Sequence, residues 1–146
     1  MALVYDLALI QHMNLFEKLS GAKLKDCIVS EESILFIVEP NEMSKAIGKH
    51  GFTVKKLENA FKKKVKIVEF SQEVKSFIKN LVTPLKINDV IEEEKIFTII
   101  PPDVRTRGLL IGRNASILRA NESIIKRHFE IKELRVSWKW QTKQTD

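Results

Sequence analysis

Two kinds of hydrophobic pattern alternate along the chain: stretches whose apolar residues recur every three or four positions, and short stretches that are apolar throughout. Residues 3–19 place Leu3, Leu7, Ile10, Leu15, Phe16 and Leu19 at helical spacing, with Gly21 suited to cap the end. Residues 24–29 predict a strand, and Ser30-Glu31-Glu32-Ser33 a turn. Ile34 to Val38 is apolar at both parities, the mark of a strand covered on both faces. Pro40-Asn41 ends it. Residues 43–47 predict a short helical turn with Asn41 as its cap. Residues 52–63 predict a helix with Val54, Leu57 and Phe61 inward, Ala60 beside them, and Lys55, Lys56, Lys62 and Lys63 outward. Val65 to Val68 is the next strand.

From Ser71 the order repeats. Ser71 reads as the cap of a helix with Val74, Phe77, Ile78 and Leu81 as its apolar stripe. Residues 85–91 read as a strand, Glu92-Glu93-Glu94 as a solvated turn, and residues 96–100 as a strand closed by Pro101-Pro102. A short helix reaches Ile111. Residues 116–128 predict a helix with Ile117, Leu118, Ile124 and Ile125 inward, and residues 131–136 a last strand. The predicted fold is α+β, two units of helix, strand, strand, helix, loop, helix, strand over residues 1–70 and 71–146. No Gly/Ser-rich linker separates them, and their apolar strands need cover on both faces. The expectation is that they dock as one rigid body.

The 146 residues carry a net charge of +6, which suits a polyanionic partner. The single cysteine, Cys27, lies in an apolar run, excludes an intramolecular disulfide and reads as a buried strand residue. No apolar run approaches the ~20 residues of a membrane span. There is no basic segment ahead of an apolar one at the N-terminus, so the expectation is a soluble, cytoplasmic protein without a membrane partner. The sequence contains no Cys/His metal spacing, no Gly-x-x-x-x-Gly-Lys-Ser/Thr phosphate loop and no Gly-x-Ser-x-Gly elbow. No enzyme activity, cofactor or small-molecule substrate is therefore expected.

The candidate chemistry lies at Ala46-Ile47-Gly48-Lys49-His50-Gly51-Phe52, where two glycines bracket two polar residues ahead of a helix. Glycine lets the backbone turn sharply and lets another backbone approach closely. The amides and dipole of the following helix favour an anion, and Lys49 adds a full charge. A partial second copy stands at Gly112-Arg113-Asn114-Ala115, where a Cβ replaces the last glycine and disfavours positive φ. From Lys45 to Lys66 there are eight lysines and one acid, Glu58. A solvated helix face is the ordinary origin of a charge run, but solvated faces usually mix signs to gain i,i+4 pairs. Arg105, Arg107, Arg113 and Arg119 supply the second unit with groups able to fork onto phosphate or stack on a base. Trp138 and Trp140 share a face if the C-terminal segment is extended, either stacking bases, docking a partner or closing the sheet.

The unit order and the Ile-Gly-x-x-Gly loop resemble the KH domain of the prokaryotic type, twice over nearly the whole chain. Leu15-Phe16-Glu17-Lys18-Leu19-Ser20-Gly21-Ala22, Asp26-Cys27-Ile28-Val29 and Ala46-Ile47-Gly48-Lys49 resemble the archaeal NusA-like transcription factors in particular. The resemblance implies two tandem type II KH domains, each a three-stranded mixed sheet with helices on one face. It also implies single-stranded RNA binding, and a role in transcription elongation or termination beside RNA polymerase, with a monomer able to act. KH modules hold about four nucleotides against the glycine loop. The implied first site is Gly48, Lys49, His50 and Gly51, with amides of the last three facing the strand. Ile47 and Val54 form the floor, and Lys55 and Lys56 flank it. The implied second site is Arg105, Arg107, Gly112, Arg113, Asn114 and Arg119. The alternatives are a KH-type protein-interaction or ribosome-assembly module with vestigial RNA binding.

Overall fold

The computed structural model describes residues 6–139. The chain divides into two units, residues 2–71 and residues 72–146. In the first unit, α1 (Leu7–Ser20) is started by Asp6, whose carboxylate accepts from the Leu9 amide at 2.8 Å, and ended by Gly21 at φ 73°. Strands β1 (Leu24–Val29) and β2 (Ser33–Val38) pair antiparallel, and β2 pairs parallel with β3 (Lys64–Glu69), in the order β1-β2-β3. The parallel step needs a crossover. It is made by α2 (Met43–Ile47), a tight turn at residues 49–51 and α3 (Phe52–Phe61).

The apolar run of β2 divides by parity, as a pleated strand requires. Ile34, Phe36 and Val38 join Phe16 of α1, Ala46 of α2, Leu57 of α3 and Cys27 of β1 in one buried cluster. Phe36 stacks on Phe16 with ring centroids 4.2 Å apart and meets Phe61 at 5.5 Å. Ile37, pointing the other way, is also fully buried. Cys27 is buried and reduced.

The second unit repeats this plan: α4 (Val74–Leu81), β4 (Asp89–Glu93), β5 (Ile96–Ile100), α5 (Val104–Ile111), a turn at residues 113–115, α6 (Ser116–Lys126) and β6 (Glu133–Val136), with sheet order β4-β5-β6. The pairing is antiparallel and then parallel, so both sheets are mixed. The architecture is α+β and consistent with two KH-like units. Phe77, Ile78, Leu81, Val90, Phe97, Ile99, Leu110, Ile125 and Leu134 are buried.

Several elements depart from the sequence expectation. The strand expected at 85–91 begins at Asp89 and carries Glu92 and Glu93 within it, paired with Phe97 and Ile96. The turn is the pair Glu94-Lys95, both at positive φ (51° and 66°), as a two-residue hairpin of the I′ kind demands. The cap positions of α2 and α4 are Glu42 and Glu73, not Asn41 and Ser71. Asn41 instead takes φ 70°, and the Glu42 carboxylate accepts from the Lys23 amide at 2.8 Å. That hydrogen bond holds the Glu42 carboxyl below the usual carboxylate range, with the Lys45 charge assisting.

Asp103 caps α5, its side chain accepting from the Thr106 amide at 2.7 Å, and this bond lowers its pKa. A carboxyl lowered in the folded state stabilises above its unfolded pKa of about 3.9 and ceases to as the pH falls through the folded value. Asp103→Ala is therefore expected to melt below the wild type at pH 7, and the gap between the two is expected to close as thermal melts are repeated at falling pH below about 4.

Candidate nucleic-acid interface

The glycine loop is set by α2 running out at Gly48. There the backbone takes φ 76° and ψ 170°, a region essentially confined to glycine. The Gly48 amide still closes the helix by donating to the Ser44 carbonyl at 2.9 Å. A Cβ at Gly48 would collide with the Thr53 side chain and lie 2.9 Å from the Thr53 backbone nitrogen. His50 (φ 56°, ψ 27°) and Gly51 (φ 73°, ψ 17°) are left-handed, and α3 starts at once. Histidine is one of the few side chains enriched in that region.

The second loop copies this path. Gly112 has φ 73° and ψ 176°, and a Cβ there would lie 2.7 Å from Ile117 Cγ1. Asn114 and Ala115 follow at φ 55° and 59°. Ala115 thus keeps the left-handed turn despite its Cβ. At the equivalent Gly51 a Cβ would meet nothing within 4 Å, so the cost is conformational, about 1–2 kcal/mol, and no packing is lost.

The structure adjusts the expected donors. The Gly51 amide donates within the turn to the Gly48 carbonyl at 3.2 Å, as that of Ala115 does to Gly112 at 3.3 Å. Lys49 and His50 remain, both exposed. Ile47 is 37% exposed beside the loop, and Val54 is half-buried behind it. Among the described residues Lys49, Lys55 and Lys56 have no carboxylate partner. Two other lysines of the run are occupied: Lys45 faces Glu42 at 3.4 Å, and Lys63 Nζ donates to the Ser30 carbonyl at 2.8 Å. The lone acid is structural, since Glu58 accepts from the Val65 amide at 3.1 Å and fixes the start of β3 on α3. Glu122 does the same for the Leu134 amide at 2.9 Å.

In the second unit Arg105, Arg113 and Asn114 are exposed, but two other candidates are committed internally. Arg107 Nε donates to the Ser137 carbonyl at 3.1 Å. Arg119 pairs with Glu122 at 2.9 Å and lies 3.9 Å from Glu133. Ile117, expected inward, is 44% exposed, because its side chain covers Gly112 and not the core. Ala60, beside the stripe of α3, is exposed. Trp138 is 70% exposed and does not close the sheet; Trp140 lies outside the described residues.

Sequence reasoning passed over Phe52, the first residue of α3, which is 66% exposed with Lys56 Nζ 5.9 Å from its ring centroid. The signal was available: position 52 is off the stripe of Val54, Leu57 and Phe61, and the repeat has Ser116 there.

Two mixed three-stranded sheets, each carrying a glycine turn between two short helices, define a tandem of KH-like units. No family model matches the chain. Among curated proteins, the probable transcription termination protein NusA of Methanocaldococcus jannaschii is 32% identical over 130 residues, covering 87% of this chain and 71% of that protein. The protein of the same name from Halococcus morrhuae is 30% identical over 130 residues, covering 88% of this chain and 94% of that one. This chain belongs to that archaeal NusA family. Among solved structures, the crystal structure of APE1850 superposes with a TM-score of 0.71 at 24% identity, over 91% of this chain and all of that one, a likeness of fold.

The two glycines of the first loop differ in what they do, and their alanine variants are expected to separate. Gly51→Ala is expected to cost about 1–2 kcal/mol in denaturant unfolding, the price of a left-handed alanine. Gly48→Ala is expected to cost clearly more, because Thr53 must move in addition.

Proposed function

We propose that this protein is a non-enzymatic, single-stranded RNA-binding transcription factor. On this reading it holds nascent RNA near RNA polymerase and modulates elongation or termination. It acts in the cytoplasm as a monomer. The observation that carries the reading is the first glycine turn: Lys49 and His50 exposed on a fixed left-handed corner, beside Lys55 and Lys56, with no carboxylate among the described residues to neutralise these lysines. A fixed turn holds its charges in place before a strand arrives, so little ordering is left to oppose binding. Membership of a family whose members are named transcription termination proteins supports the same role.

The site comprises Ile47, Gly48, Lys49, His50, Gly51, Val54, Lys55 and Lys56. Arg105, Gly112, Arg113 and Asn114 form the corresponding site of the second unit, where Arg107 and Arg119 contribute weakly because they already have partners. Phosphate contacts give most of the affinity, so binding falls with salt. The exposed Trp138 favours a second reading, a protein-interaction or ribosome-assembly module with weak RNA binding.

A salt series with a short single-stranded RNA separates the two. The comparison is wild type against Lys49→Asp/His50→Asp, a pair that leaves Gly48 intact and puts aspartate, which tolerates left-handed backbone, at position 50. The variant is expected to lose on the order of tenfold or more in affinity. Its log–log salt slope is expected to flatten by about 0.7 for each phosphate no longer neutralised. Equal binding by both proteins, or by neither, overturns the RNA reading in favour of the interaction module. Labelled RNA incubated with magnesium is expected to stay intact; turnover would overturn the non-enzymatic part.

A further inference from the structure

We infer that Phe52 stacks on a nucleobase of the strand whose phosphates rest on the Lys49-His50 turn, and that this base contact is confined to the first unit. The inference rests on the RNA-binding reading of that loop and adds to it a residue that reads bases.

The fold does not ask for an aromatic at position 52. Phe52 and Ser116 occupy the same place in the two units, the first residue after the turn, with φ/ψ of −59°/−44° and −62°/−43°. Serine serves that backbone in the second unit, so an apolar ring is dispensable for the turn and for the helix start. In the first unit the ring is 66% exposed and outside the buried cluster that α3 joins through Leu57. Leaving 66% of the residue in water keeps apolar surface exposed that a flat apolar ligand would cover.

The surroundings specify the ligand. Lys56, one helical turn on, places its ammonium 5.9 Å from the ring centroid, and Lys49 and Lys55 are near in sequence without carboxylate partners among the described residues. A protein partner binding through an apolar anchor would have to bury or pair these ammonium groups, which is costly. A single strand of nucleic acid supplies a flat π-face and the phosphates together. Chain neighbours aside, a Cβ at Gly51 would meet nothing within 4 Å, so the Cβ side of that residue leaves room for an approaching strand.

The test measures affinity for a short single-stranded RNA and for an abasic ribose-phosphate strand of the same length. The proteins are wild type, Phe52→Ser, Phe52→Trp and Lys49→Asp/His50→Asp. Phe52→Ser carries the residue the second unit already uses, and an unchanged melting temperature verifies its fold. It is expected to lose about 5- to 150-fold on RNA, the usual effect of removing one stacking aromatic. Less than about twofold change is expected on the abasic strand, and an unaltered salt slope, since no phosphate contact is removed. Phe52→Trp is expected to retain affinity and to show fluorescence quenching by RNA beyond that of wild type. If Phe52→Ser binds RNA as wild type does while Lys49→Asp/His50→Asp does not, the stacking inference falls and the RNA site stands. A loss equal on both strands also overturns stacking. If wild type itself binds neither strand, the RNA reading fails and takes the inference with it.

Discussion

Everything at the candidate interface depends on one steric constraint: the backbone after the first short helix of each crossover must pass through a region that only glycine occupies. Gly48 and Gly112 stand there with nearly equal angles, and a residue five positions later packs directly against each Cα. Thr53 fills that space in one unit and Ile117 in the other. The contact closes the corner from inside, and the second and third residues after each glycine then take left-handed backbone, at His50-Gly51 and Asn114-Ala115. Two exposed polar side chains at the start of a helix are a consequence of that packing. The order of cause runs from a missing Cβ, to a close approach, to the presentation of Lys49-His50 and Arg113-Asn114.

A second device keeps the turn in register with the sheet. Glu58 on α3 and Glu122 on α6 each accept the amide near the start of the final strand. Without such a bond the first amide of a strand entering beside a helix would need water. The same carboxylates have opposite effects on charge in the two units. Glu58 leaves the lysines of α3 unneutralised, whereas Glu122 also faces Arg119 and Lys126. The repeat therefore preserves backbone geometry while its electrostatics diverge, and the first unit carries more uncommitted positive charge at its turn.

Much of the architecture was legible because it rests on pattern. Ile34 to Val38 could only be a strand covered on both faces, and the recurrence of that run ahead of a second glycine revealed the repeat. What was not legible depended on pair geometry. Glu92-Glu93-Glu94 looks like a turn by composition, yet two of the three belong to a strand, because an edge strand tolerates charge and the hairpin reverses on Glu94-Lys95 without glycine. Ala115 looked like a defect in the second loop, but nothing opposes its Cβ at the equivalent place in the first. Ile117 fits a helical stripe but is drawn off it to cover Gly112. Arg107 and Arg119 read as free cations until their partners, 30 and 3 residues away, are placed beside them.

Divergence between two copies of one backbone is itself a physical argument. Where the copies agree, at Gly48 and Gly112 or at Glu58 and Glu122, the fold requires the residue, and the contacts say why. Where they differ at matched angles, the backbone does not require the residue, and its reason lies outside the turn geometry. Phe52 against Ser116 is the sharpest such difference: a large ring left in water beside unneutralised lysines, at a position where a small polar residue suffices. On the stacking inference, the ring's exposure beside the turn is met by a ligand, and the surrounding charge favours an anion with flat apolar faces.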